Sequence, residues 1–141
     1  MMLKSDSHIA EFMERVKQET VSDFVGVGLM DNVKRKLCWQ WAAGSISQRS
    51  LQVEQKLGSG LSGAALRSGR PASISRPMPD RERFKLGEPL MLAEQLVIAA
   101  AVPIVTDSGT SGILLLGRRT ETSYSPNELE RIFLQASPFA L

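Results

Sequence analysis

Cysteine, histidine and tyrosine each occur once in this chain of 141 residues. A lone Cys38 excludes an internal disulfide and any multi-cysteine metal or redox site. His8 stands near the N-terminus, a poor position for a ligand or a catalytic base, and without it no Ser-His-Asp set can be assembled. No apolar run approaches the roughly 18 residues a membrane span needs. The opening MMLKSDSHIA has no apolar h-region, so a signal peptide is not expected. Charge of one sign is also lacking. The net value of +2 is too small to argue for nucleic acid. Arg and Lys do gather between Arg67 and Lys85, but with few aromatics among them, which reads as a solvated loop. These absences lead to a cytoplasmic chain with no structural metal, no membrane contact and no nucleic-acid partner.

What is present is enough for one domain spanning 1–141. A hydrophobic content of 43% and a charged content of 23% are close to globular averages. From Ser7 to Thr20, Ile9, Phe12, Met13 and Val16 fall at helical spacing, with Ser5 or Ser7 as a cap. Phe24 to Met30 reads as a strand whose glycines imply a close neighbour. Asp31-Asn32 turns the chain, and Arg35 to Ala43 returns it. Strict alternation in this second strand puts Leu37, Trp39, Trp41 and Ala43 on one face and Cys38, Gln40 and Ala42 on the other. Two tryptophans on one face are either core packing or the wall of a ligand pocket, where an indole N–H donates to an acceptor.

Leu51 to Leu57 is expected as a short strand, Ser62 to Ser68 as a helix stopped by Gly69 and Pro71, and Pro71 to Ser75 as another short strand. A polar loop from Arg76 to Gly87 follows, then a short helix from Glu88 to Gln95. Leu96 to Val105 and Ile113 to Arg119 pair as strands about a turn at Asp107 to Gly112. Ser125-Pro126-Asn127-Glu128 opens a final helix, with a serine cap, proline at the first position and Glu128 in the box position. This order predicts an α+β domain, with a mostly antiparallel sheet, long helices on one face and short ones on the other.

The stretch GSGLSG at Gly58 to Gly63 carries the most chemistry. Its glycines let the backbone turn tightly and approach a ligand. The helix that follows offers unpaired N–H groups and a partial positive charge to a small anion. The spacing fits G-x-G-x-x-G, but a dinucleotide site needs a crossover helix and an acidic residue at a strand end about twenty positions on. Here Gly69-Arg70-Pro71 ends the helix early, and Asp80 and Glu82 lie in a loop. No Lys-Ser/Thr follows the last glycine, which excludes a Walker loop.

The chain as a whole resembles a GAF domain, on GSGLSGAALRSGRPASI at Gly58 to Ile74, VIAAAVPIVTDSGTSGILLLGRR at Val97 to Arg119, and YSPNELERI at Tyr124 to Ile132. The resemblance implies a six-stranded antiparallel sheet and a small-molecule pocket enclosed by short helices. It is strongest to the stand-alone nitrate-sensing members, on Trp39-Gln40-Trp41-Ala42-Ala43-Gly44, the glycine-rich helix start and Pro89-Leu90-Met91-Leu92-Ala93-Glu94. It implies nitrate held by the backbone N–H groups of Leu61 and Ser62, between Gly60 and Gly63, against Trp39 and Leu90, with Trp41 nearby. It also implies a sensor histidine kinase of a two-component system as partner, homodimerisation through the terminal helices, and no catalytic residue or cofactor beyond the anion. The basic loop from Arg76 to Lys85 is a candidate partner surface.

The family has a tyrosine where this chain has Glu88. An ionised carboxylate about 4 Å from a bound anion costs about 4 kcal/mol at an effective dielectric of about 20. Glu88 is therefore expected to point away, to be protonated, or to mark a different ligand. Other GAF readings are another small molecule, a ligand-free dimerisation module, or a free methionine sulfoxide reductase. The last needs a nucleophilic cysteine and resolving partners, which Cys38 alone does not supply.

Overall fold

The computed structural model describes residues 6–47, 49–106 and 109–136. Helix α1 (Asp6–Glu19) leads into a hairpin of β1 (Phe24–Asp31) and β2 (Lys36–Ala43), then one 3-10 turn (Ser50–Gln52) and β3 (Glu54–Lys56). Helix α2 (Gly60–Ser68), β4 (Ala72–Ser73), α3 (Asp80–Leu86) and α4 (Pro89–Ala93) follow. Strands β5 (Ile98–Thr106) and β6 (Gly109–Arg118) and helix α5 (Pro126–Ala136) complete the order. The six strands form one sheet in the order β3-β2-β1-β6-β5-β4, with every neighbouring pair antiparallel.

Each face of the sheet has its own core. Ile9, Phe12, Met13 and Val16 of α1, with Leu129 and Ile132 of α5, pack on Val25, Val27, Leu114 and Leu116. On the other face Leu61 and Ala65 of α2, with Leu90 and Met91 of α4, cover Leu37, Trp39, Ile113 and Leu115. The alternation along β1 and β6 sorts these side chains, as period-two geometry requires. Helix α5 starts with the expected capping box: Glu128 N–H donates to Ser125 Oγ (3.1 Å) and Ser125 N–H to Glu128 Oε1 (2.9 Å). Asp31 Oδ1 closes the β1–β2 turn by accepting the N–H groups of Val33 and Lys34, each at 3.0 Å.

The strand face assigned to the two tryptophans is wrong for one of them. Val27 pairs with Trp41 and Gly28 with Trp39, so Gln40 is an extra residue that breaks the register. Such a bulge resets the alternation beyond it. Trp39 accordingly lies in the core beneath α2 and α4, whereas Trp41 packs, half-buried, against the α1–α5 core. The glycines of β1 are explained by the same region. A Cβ on Gly28 would meet the Trp39 ring at 2.9 Å, and one on Gly26 the Phe24 ring at 3.0 Å. The close neighbour is thus an aromatic ring and not another backbone element.

Other boundaries shift for tertiary reasons. The polar stretch expected as a loop from Arg76 to Gly87 contains α3, which buries none of its residues and has no apolar stripe to announce it. Its position is held by Arg83, whose Nη2 donates to the carbonyls of Met91 (3.1 Å) and Leu96 (2.9 Å). Only Glu54–Lys56 of the Leu51 to Leu57 stretch is extended, because Ser50–Gln52 turns first. Ser7 lies inside α1 and not at its cap, and Ser5 lies outside the described residues. The turn at Asp107 to Gly112 lies partly outside them as well, and β6 already begins at Gly109.

Candidate functional site

Helix α2 begins two residues earlier than expected, inside the glycine stretch. Gly60 has φ +71°, the left-handed region that favours glycine. A Cβ there would lie 2.7 Å from Glu88 Oε1 and 2.8 Å from the Gly87 carbonyl oxygen. Gly63 is needed for a different reason, since its Cβ would lie 2.5 Å from the Gly58 carbonyl oxygen. Arg67, one turn further on, donates from Nη1 to that same carbonyl at 2.7 Å and closes the loop. Gly69, at φ +68°, ends the helix in a left-handed cap. The first helical bond runs from Gly63 N–H to Ser59 O (2.9 Å). The Ser59 side chain turns outward to the Lys56 carbonyl and makes no cap bond.

The N–H of Ser62 is thereby left for a partner from outside the helix, and the partner is Glu88. Its Oε1 accepts the Ser62 N–H at 2.7 Å. Glu88 does not point away. It is delivered between Gly87, a left-handed cap on α3, and Pro89, the first residue of α4. Glu88 is 1% exposed and Ser62 fully buried, and neither Glu88 Oε2 nor Ser62 Oγ completes a hydrogen bond of good geometry, although the Ser62 hydroxyl, the Gln55 amide and the Leu61 N–H lie close enough to act on the carboxyl. Burial pushes the Glu88 carboxyl above its usual range, against the pull of the Ser62 and Leu61 backbone, the Ser62 hydroxyl and the Gln55 amide.

Around this pair, Trp39, Leu61 and Leu90 are all 6% exposed or less, so the seat is closed to solvent. The Trp39 indole finds the acceptor its burial demands in Gln55, with Nε1–H donating to Oε1 at 2.8 Å. Gln55 Nε2 in turn donates to the Ser59 carbonyl at 3.5 Å. The structure therefore brings together Trp39, Gly60, Leu61, Ser62, Glu88 and Leu90, with Gly63 one turn along. It does not bring Trp41, which the bulge sends to the opposite face.

Gln55 was missed by sequence reasoning. Its signal was a single inward position between two charged neighbours, Glu54 and Lys56. Glu94, noted in the sequence only as the last residue of the Pro89 to Glu94 stretch, was missed as well. It is wholly buried and accepts from Ser45 Oγ, Ser50 Oγ, Ile46 N–H and Ser47 N–H, with Arg119 Nη2 at 3.0 Å. Burial alone would raise its carboxyl, but the Ser45 and Ser50 hydroxyls and the Ile46 and Ser47 N–H groups outweigh burial and hold it below the usual range.

Cys38 is half-buried on β2. Burial, then the carboxylates of Glu54 and Asp31, push its thiol up and away from the nucleophilic thiolate. Among the described residues no group of three or more His, Cys, Asp or Glu is placed to hold a metal ion. No helix among them is long and apolar enough to cross a membrane. An open cleft of about 230 Å³ lies away from the seat, between β4 and α5, lined by Arg70, Ser73, Tyr124 and Glu130 among others.

The family model of the GAF domain matches residues 7–141, and the chain belongs to that family. Its fold is similar to that of an NreA protein of Staphylococcus aureus mutated in its nitrate binding site. The two share 20% identity at a TM-score of 0.78, over 95% of this chain and 99% of that one. A GAF domain/HD domain protein of Geobacter sulfurreducens is similar at 18% identity and TM-score 0.75, covering 95% of this chain and 88% of its own. A type II free methionine-R-sulfoxide reductase of Thermoplasma acidophilum is similar at 16% identity and TM-score 0.73, with the same coverages of 95% and 88%. At these identities the likeness is one of fold. No curated protein matches by sequence.

Proposed function

We propose that this GAF-domain chain is a cytoplasmic sensor module that binds a small oxyanion, with nitrate the first candidate, at the N-terminus of α2. The observation that carries the reading is the 2.7 Å bond from the buried Ser62 N–H to a carboxylate oxygen. A helix N-terminus that holds one planar oxyanion group has the donors and the field to hold another. The resemblance to nitrate-sensing GAF proteins supplies the ligand and names a sensor histidine kinase as the partner. Helices α1 and α5 are the faces through which two copies pair, and the exposed, basic α3 is the surface offered to the kinase. A reductase is disfavoured because the single cysteine has no resolving partner and a thiol held in its protonated form.

The second reading is a ligand-free interaction module. It is favoured by one fact: the chain's own carboxylate already sits on the donor. Thermal shift or calorimetry with nitrate, nitrite, chloride and small carboxylates separates the two. At a hundredfold excess over its dissociation constant, a specific ligand stabilises the fold by about 2.7 kcal/mol. A nitrate shift no larger than that of chloride removes the nitrate reading and leaves the module.

A further inference from the structure

We infer that Glu88 is a tethered occupant of the oxyanion seat, so that a free anion enters only by displacing the chain's own carboxylate. The inference rests on the reading of this seat as an oxyanion site, not on nitrate being its ligand. Three observations carry it. Glu88 Oε1 sits 2.7 Å from the Ser62 N–H, the donor a bound anion would use. Gly60 is required there by its φ of +71° and by the Gly87 carbonyl oxygen 2.8 Å from where a Cβ would lie, and the space this leaves is filled by Glu88 Oε1, 2.7 Å from the same point. Glu88 Oε2 and Ser62 Oγ are buried and complete no hydrogen bond of good geometry, so the carboxylate does not use everything the seat offers.

The tether is short and stiff. Gly87 in a left-handed cap and Pro89 with its fixed φ hold the backbone on either side of Glu88. A group attached this way acts at an effective concentration of millimolar or more without any new contact. A free anion must compete against that concentration. Glu88 is thus the residue that sets which ligands the seat admits, and it selects against weakly held anions.

Formate is the free counterpart of the tethered group and is the probe. Thermal unfolding of the full chain is compared in sodium formate, sodium nitrate and sodium chloride at equal ionic strength, for wild type and Glu88→Ala. In wild type, formate and chloride are expected to give the same midpoint. In Glu88→Ala the midpoint falls, and formate raises it saturably while chloride does not. The apparent affinity for formate is at least about tenfold above that of wild type, because the tethered competitor is gone. An equal response of wild type and a folded Glu88→Ala to formate overturns the inference, as does nitrate binding to wild type as tightly as to the variant. Nitrate binding to neither, with formate rescue intact, removes nitrate as the ligand and leaves the inference standing.

A second measurement does not depend on Glu88→Ala folding. In Glu88→Gln, whose amide has the same shape, the Ser62 amide proton is expected to move upfield from its wild-type resonance. An unmoved Ser62 resonance overturns the inference.

Discussion

Glu88 and Glu94 flank the same short helix, both buried to 1% exposure or less, and they are held in opposite ways. Glu94 accepts from two hydroxyls, two backbone N–H groups and a guanidinium. Glu88 accepts one backbone N–H, and its second oxygen completes no hydrogen bond of good geometry. Burial disfavours charge at both sites; at Glu88 it outweighs the donors that surround the carboxyl, whereas at Glu94 the well-formed hydrogen bonds outweigh it. Glu94 is therefore fastened as an anion, and it ties the chain after β2 to α4 and to Arg119. Glu88 has been brought into the interior with donors around it but only one well-formed bond, from the Ser62 N–H, to hold it. A buried carboxylate that is only partly satisfied costs stability, and it persists where something else requires it.

Breaking the well-held member of the pair should have the largest effect. Glu94→Ala strands two hydroxyls, two N–H groups and the Arg119 guanidinium, and should cost about 3–5 kcal/mol in urea unfolding. A loss below about 1 kcal/mol would mean that the donors find water and that Glu94 is no strut. Next in size is Gly60→Ala. It forces a non-glycine residue to φ +71° and puts a Cβ 2.7 Å from Glu88 Oε1. The expected cost is about 1–3 kcal/mol, with the Ser62 amide resonance displaced. If the Ser62 resonance stays in place, Gly60 serves the turn alone and is not shaped around Glu88.

How far this contrast was legible in the sequence differs from residue to residue. The capping box at Ser125 and the apolar stripe of α1 are local patterns that appear where their spacing places them, and both hairpins form, though β6 begins at Gly109 and a bulge shifts the register of the first. The helix start at Gly60 to Gly63 was legible because glycine has few other reasons to recur so closely. Trp41 was misplaced because a bulge at Gln40 depends on the pairing of β2 with β1, which strict alternation along one strand does not contain. Helix α3 was hidden because Arg83 fastens it to the carbonyls of Met91 and Leu96, and of its side chains only Leu86, at its last position, packs on the core. Glu88 was marked as the odd residue of the site; it does not point away, and its raised carboxyl runs in the direction of the protonated alternative, but its place on the Ser62 N–H was not foreseen. A side chain that supplies the anion itself is visible only once α2 and α4 are brought together.

The smallest and most discriminating effect concerns pH. The Glu88 carboxyl is raised in the folded chain above the ordinary value of 4.5, so between those two values the folded state holds more protons than the unfolded one. Stability contributed at Glu88 is then fully present below about pH 4.5 and is lost as pH rises through the folded value. Glu94 is lowered, so its contribution is present above about pH 4.5 and is lost as pH falls through its folded value. Glu88→Gln keeps the shape and removes the charge. At neutral pH it should match or exceed wild type by up to about 1 kcal/mol, because an unpaired buried charge is relieved. Urea unfolding from about pH 3 to 8 should show wild type losing ground to Glu88→Gln as pH rises. Wild type should gain ground over Glu94→Gln as pH rises out of the acid range towards about 4.5. Difference curves sloping the same way would mean that the two carboxylates are held alike, and the balance of burial against well-formed hydrogen bonds would then not be what separates them.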